Sequence, residues 1–244
     1  MATSFAGKTY WLVGASEGLG RSLALKLADA GARLCLSARS EDRLQALAEE
    51  IGGETVIAPL DARDSESVAA AFETLPKIDG VIYNAGVYEP TSAQEWDSDT
   101  VEAMCDVNFT GAARVMGSAI PALVAEGGGH IVIIGSLAAF GGLPDAIGYA
   151  ASKAGVASLA ESMRIDLPSP AYNVQLMNPG FIKTRLTDKN DFEMPHLMTP
   201  DEAADYVFKA MQGTRFRTSF PPAFAWRFRL AGLFPDWLYF RAVK

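Results

Sequence analysis

Tyr149 and Lys153 stand four residues apart in the stretch Tyr149-Ala150-Ala151-Ser152-Lys153, so on a helix they are neighbours on one face. A phenol with its ordinary pKa near 10 is a poor base at neutral pH unless a cation lies beside it. Bringing it near neutrality takes roughly 4 kcal/mol, within reach of an ammonium reinforced by a second positive charge in a dry cleft. Ser136 lies 13 residues upstream, just past an apolar run that reads as a strand, where its hydroxyl could hold a substrate oxygen. A tyrosine and lysine at this spacing are common by chance. Their position after a strand-end serine and a nucleotide-type loop gives them weight, and the chemistry they suit is proton transfer to an oxygen.

That loop is Gly14-Ala15-Ser16-Glu17-Gly18-Leu19-Gly20, directly after the first strand and before a helix. Glycines there let the backbone turn tightly and approach a pyrophosphate, whose charge faces the helix N-terminus. The second strand ends in Ser37-Ala38-Arg39-Ser40. An acid at position 38 would accept bonds from an adenosine ribose and repel a 2′-phosphate; neutral Ala38 followed by Arg39 favours NADP(H) over NAD(H). Glu17 counts against this, since a basic residue in that loop would strengthen the phosphate site. Asn84-Ala85-Gly86, Asn108 and Asn178-Pro179-Gly180 supply small and polar groups at or near later strand ends, where ligands bind in such folds.

The elements that must position these groups alternate along the chain. The runs Tyr10–Val13, Arg33–Ala38, Thr55–Pro59, Gly80–Tyr83, His130–Ile134 and Asn173–Met177 read as strands, most of them apolar without alternation, as for strands covered on both faces. Helices are expected over Leu19–Ala30, Arg43–Ile51, Ser67–Leu75, Thr100–Ala125 and Tyr149–Leu167, and Thr199, Pro200 and Glu202 form a helix start. The rhythm predicts an α/β fold with a doubly wound parallel sheet of the Rossmann type. Residues 1–213 form one domain with a substrate-covering segment at about 185–198, and 214–244 form an aromatic and basic C-terminal extension.

Together these motifs resemble the short-chain dehydrogenase/reductase superfamily, in its compact single-domain form, over residues 7–212. The resemblance implies a catalytic tetrad of Asn108, Ser136, Tyr149 and Lys153. It implies a cofactor loop at Gly14, Gly18 and Gly20 with Ser16, Glu17 and Leu19, an adenine border at Asp61 and Ala62, and support from Asn84, Ala85 and Gly86. Pro179, Gly180, Ile182 and Thr184 match the segment that holds the nicotinamide carboxamide. The implied reaction moves a hydride between nicotinamide and a carbonyl or alcohol carbon. Tyr149 moves the proton, Lys153 holds the nicotinamide ribose and depresses the tyrosine pKa, and Asn108 positions a water. Three positions depart from the family pattern: Val13 for a usual threonine, Tyr83 for asparagine and Gly135 for serine.

The net charge of −8 argues against a nucleic-acid surface. The sign is unevenly spread: residues 1–213 hold 15 Lys/Arg against 28 Asp/Glu, and 214–244 hold 6 against 1. Cys35 and Cys105 make no disulfide framework, and the first strand starts too early to leave room for a secretory leader, so a cytoplasmic setting is expected. With only His130 and His196 and no ligand spacing, no metal site is expected; His130 and Trp11 read as core. Leu186, Phe192, Met194, Pro195, Leu197 and Met198 favour a hydrophobic substrate, or simply close a lid. In the tail, Phe224, Phe228 and Ala231 share a helical face, flanked by Trp226 and Leu230 and interleaved with Arg227 and Arg229. Packing on the body, a homodimer or homotetramer contact, and peripheral attachment to the inner face of a membrane through 220–244 are the competing uses. The competing functions are a catalytically quiet NADP(H) sensor or scaffold, and a membrane-associated lipid ketoreductase.

Overall fold

The computed structural model describes residues 4–189 and 191–243. Asn190, within the segment 185–198, and Lys244, within the tail, lie outside the described residues. Seven parallel strands, β1 (Thr9–Val13), β2 (Arg33–Ser37), β3 (Thr55–Ile57), β4 (Gly80–Tyr83), β5 (Gly129–Ile134), β6 (Tyr172–Pro179) and β7 (Arg217–Phe220), form one sheet in the order β3-β2-β1-β4-β5-β6-β7. The order reverses between β1 and β4, and there the strand ends diverge to leave a crevice.

Strand β1 shows why the sheet is covered twice. All five of its residues are buried. Tyr10 and Leu12 enter the core under α1 (Gly18–Asp29), α2 (Glu41–Ile51) and α7 (Pro200–Met211), while Trp11 and Val13 enter the opposite core under α3 (Ser65–Glu73), α5 (Gly111–Ala125) and α6 (Ile147–Asp166). The Trp11 indole donates to Ser37 Oγ at 2.9 Å, and Ser37 Oγ donates to Ala58 O at 2.6 Å, which ties three strands through one polar chain. His130 is equally structural. Its Nε2 lies 2.8 Å from Gln175 Oε1, an acceptor, so that nitrogen carries the proton and Nδ1 accepts from Tyr10 Oη at 2.8 Å. Burial lowers its pKa to about 4, which keeps the ring neutral.

Two elements differ from the sequence expectation. The stretch Thr100–Ala125 is not one regular helix: α4 (Ser98–Cys105) passes through a π turn, Asp106–Thr110, into α5. The cause is Tyr83. Its hydroxyl donates to Val107 O, the carbonyl that Gly111 N–H would take in an α-helix, and Gly111 N–H bonds Asp106 O instead. A Cβ at Gly111 would sit 2.6 Å from that hydroxyl, so glycine is required there. The second difference is β7. The residues from 214 onward are expected to form an extension, yet Arg217–Phe220 pairs with Leu176–Pro179 as the edge strand. Its sequence, Arg-Thr-Ser-Phe, has no apolar run to announce it. Two helices follow, α8 (Pro222–Ala231) and α9 (Asp236–Ala242). Phe224 and Ala225 are buried against the body, and Phe228 packs partly on the same cluster, while Trp226 and Leu230 face solvent.

Candidate active site

A cleft of about 550 Å³ opens at the carboxyl ends of the strands. Gly14, Ser16, Glu17, Gly18, Leu19, Arg39, Asp61, Ala62, Asn84, Ala85, Gly86, Tyr149, Lys153, Pro179, Gly180, Ile182 and Thr184 all line it. Gly20, Asn108 and Ser136 are not part of its lining. A Cβ on Gly20 would stand 2.0 Å from Gly14 O, and one on Gly14 would stand 2.5 Å from Ala85 N. These glycines therefore let α1, the loop and the end of β4 close on one another. Asn84 Nδ2 locks the arrangement by donating to Gly14 O at 2.7 Å. Helix α1 starts at Gly18, which has φ +53°, with no side-chain cap on its N-terminus. Its first amides are free to meet an anion.

At the far side of the sheet reversal, α6 presents Tyr149 and Lys153. Lys153 is buried and Tyr149 half-buried. Burial raises the Tyr149 phenol, with a hydrogen bond involving Ser136 acting the other way, and burial lowers the Lys153 ammonium to about 8. In the protein by itself, burial outweighs any lowering of the phenol. Lys153 Nζ lies 5.7 Å from the ring centroid and donates to Ile134 O at 3.0 Å, too far and too committed to offset desolvation of the phenolate. Asn108 lies in the π turn. Both its amide hydrogens are spoken for, by Val87 O and Ser152 Oγ at 3.0 Å each, and its Oδ1 accepts from Val87 N at 2.8 Å. Its side chain thus braces the β4 end against α6.

The far wall of the cleft is apolar. Tyr88 meets the Tyr149 ring edge-on at 5.1 Å, and both pack with Ala138, Leu143, Ala146 and Ala150. The segments 181–189 and 191–198 flank this side, pinned at the base by Met198 N–H to Phe181 O and Lys183 N–H to Met198 O, at 3.0 and 2.8 Å. Lys189 reaches back across the opening to Tyr88 O and the Glu89 carboxylate. Phe181 packs on Phe192 and on Phe224 of α8, each at 5.8 Å. Among the described residues, no group of three or more His, Cys, Asp or Glu is placed to hold a metal ion. Burial raises the Cys35 thiol to about 11 and also raises Cys105, which favours the protonated thiol in both.

The family model for the short chain dehydrogenases matches residues 8–194. The chain belongs to the short-chain dehydrogenase/reductase superfamily. It is 35% identical to an uncharacterised oxidoreductase of Myxococcus xanthus, covering 97% of this chain and 96% of that one. It is 37% identical to a sulfoacetaldehyde reductase of Chromohalobacter salexigens over 72% of this chain and 73% of that one. A Burkholderia cenocepacia short-chain dehydrogenase solved with NADP superposes with a TM-score of 0.86, at 27% identity, over 98% of both chains. A Burkholderia phymatum member solved with NAD gives 0.83, at 25% identity, over 94% of both. The protein is thus an oxidoreductase of this superfamily with its doubly wound fold.

The departures from the superfamily pattern have local reasons. With Val13 in place of threonine, Asn84 ties the glycine loop, through its side chain and through Asn84 N–H to Val13 O at 2.8 Å. At Gly135 a Cβ would stand 2.3 Å from Asn178 Oδ1, so the strand-end asparagine excludes a serine there. Glu17 is neutralised: Arg43 donates to one of its oxygens at 2.8 Å and Arg185 to the other. Arg43 and Arg185, which line the cleft, and Tyr88, which packs on Tyr149, are the residues that sequence reasoning missed, whereas Leu186 was among the expected lining residues. Arg43 had a signal, four residues beyond Arg39 in the first part of α2.

Proposed function

We propose that this chain reduces a carbonyl, or oxidises the corresponding alcohol, with NADP(H), and that its substrate is largely apolar. The observation that carries the reading is the placement of Tyr149 and Lys153 on one face of α6, both lining the cleft that the glycine loop also borders. When bound, the nicotinamide cofactor supplies or accepts the hydride. The uncapped start of α1 and the glycines at 14, 18 and 20 suit its pyrophosphate, and Asp61 and Ala62 suit its adenine. Arg39 and Arg43 line the same end of the cleft beside neutral Ala38, and two guanidiniums without a carboxylate at position 38 favour a 2′-phosphate over a bare ribose.

The protein's own groups supply the proton chemistry. Desolvation keeps Tyr149 protonated at neutral pH, which is the form that donates to a carbonyl oxygen as it gains charge. Ser136 donates a second hydrogen bond to that oxygen. In the alcohol direction the phenol must lose its proton, so a charged Lys153 beside it favours the step. Pro179, Gly180, Ile182 and Thr184 border the cleft where a carboxamide would be held. Tyr88, Leu143, Leu186 and Phe181 offer apolar surface to the substrate and exclude water.

The test is the oxidation of NADPH, followed by absorbance, against a panel of aromatic, aliphatic and charged aldehydes and ketones. The proposal expects turnover on apolar members and a preference for NADPH over NADH. Tight NADPH binding with no turnover anywhere on the panel would favour the sensor reading, and turnover only on charged carbonyls would overturn the apolar assignment.

A further inference from the structure

Helices α8 and α9 are apolar on both sides. Their inner sides are taken up by the body: Phe224 packs on Phe181 and on His196, at 5.8 and 5.7 Å, and Tyr239 donates to Gly142 O at 2.7 Å. Their outer sides, with the turn between, carry Trp226, Leu230, Leu233, Phe234, Trp237 and Phe240, all exposed and reaching 79% at Leu233. These are six of the thirteen exposed large hydrophobics among the described residues, on a segment of about twenty residues. A helix that is apolar all round is normally covered all round, and a concentration of this kind marks a contact surface.

Charge decides what covers it. Arg227, Arg229 and Arg241 are interleaved with the aromatics against the single acid Asp236, on a body that holds 28 Asp/Glu and 15 Lys/Arg. A second copy meeting this face across a two-fold axis would set arginine against arginine. An anionic bilayer satisfies both features, with acyl chains for the apolar side chains and lipid phosphates for the guanidiniums. Tryptophan and arginine together suit the headgroup depth, and the Arg229 guanidinium already lies 5.5 Å from the Trp226 ring. No helix among the described residues is long and apolar enough to cross a membrane. We propose that the outer face of α8 and α9 docks this protein in the plane of an anionic membrane surface, with the acidic body held away from it. The proposal does not depend on the substrate or cofactor.

Flotation of the full chain with vesicles tests it, using phosphatidylglycerol mixed into phosphatidylcholine against phosphatidylcholine alone. The protein should float with the anionic vesicles, bind the neutral ones about tenfold more weakly, and be released as salt rises. The double variant Leu233→Glu/Trp237→Glu should lose about tenfold or more of the binding and keep its melting temperature. Flotation with neither vesicle overturns the proposal, as does a double variant that floats like the unmodified protein. If vesicles are ignored and the double variant instead breaks an oligomer on size-exclusion chromatography, the face is covered by a second copy and the membrane assignment is wrong.

Discussion

The Tyr83 hydroxyl donates to Val107 O, one residue before Asn108, and so sets the π turn that carries the asparagine into its brace between Val87 and Ser152. A phenol on a core strand thereby acts on the site from a distance. In Tyr83→Phe the Val107 carbonyl loses its partner and Gly111 N–H can reclaim it, restoring α-helical pairing and turning Asn108 away. Loss of a buried hydrogen bond should cost about 1–3 kcal/mol in chemical denaturation. Turnover should fall roughly tenfold with cofactor affinity unchanged. Because Tyr83 acts through Asn108, Tyr83→Phe in an Asn108→Ala background should add little.

Much of this architecture is legible in the sequence because it rests on local patterns. Most of the strands are apolar runs, the glycine loop is contiguous, and Tyr149 and Lys153 lie one helical turn apart. What is not legible depends on partners far away in the chain. Strand β7 is polar and pairs only because β6 offers an edge. The π turn needs a hydroxyl 24 residues upstream. Glu17 looks like an obstacle to a phosphate until Arg185, 168 residues away, and Arg43 are seen to neutralise it.

The phosphate end of the cleft yields a pair of opposite effects. Arg39→Ala and Arg43→Ala should each weaken NADPH more than NADH. Together they should erase a preference of about 10- to 150-fold, the range of a charge-assisted contact of roughly 1.5–3 kcal/mol. Glu17→Gln should act the other way, because it frees Arg43 and removes a negative charge near the phosphates. For a solvent-exposed pair the gain is small, about two- to fivefold in NADPH affinity. Isothermal titration with both cofactors measures all three. Equal affinity for NADPH and NADH in the unmodified protein contradicts the assignment.

Lys153 makes the free site less stable than it could be. Its folded-state pKa of about 8 lies below the ordinary 10.5, so between those values the unfolded chain binds more protons and stability from this group rises with pH. Below pH 8 the full penalty, about 3 kcal/mol, applies. Lys153→Met should therefore stabilise the cofactor-free protein by about 2–3 kcal/mol at pH 7, with the gain shrinking as pH rises from 8 toward 10.5, while turnover collapses. Urea denaturation across that range checks the sign. A destabilised variant at pH 7 would mean that the ammonium is favourably solvated in the fold.

Helix α9 reaches the loop between Ser136 and Tyr149. The Tyr239 phenol donates to Gly142 O, and a Cβ on Gly141 would stand 2.3 Å from the phenol's own Oη. Tyr239→Phe should loosen this loop and raise KM for the carbonyl substrate about two- to tenfold, the worth of one partly exposed hydrogen bond, with little change in kcat or in NADPH affinity. Gly141→Ala should do the same by displacing the phenol. Unchanged KM in both variants would show that the loop is held by its other contacts.

The reaction assignment stands on the Tyr149 proton, and Tyr149→Phe measured by single-turnover reduction on a genuine substrate tests it most directly. The variant keeps the ring against Tyr88 and removes only the hydroxyl, so NADPH should bind nearly as before. The rate should fall about 10²- to 10⁴-fold, the usual contribution of a positioned acid. The fall in rate at high pH, where the unmodified phenol loses the proton it must donate, should vanish from the residual reaction. A Tyr149→Phe protein that retains near-full turnover with the same pH profile would place the proton donor elsewhere and contradict the account.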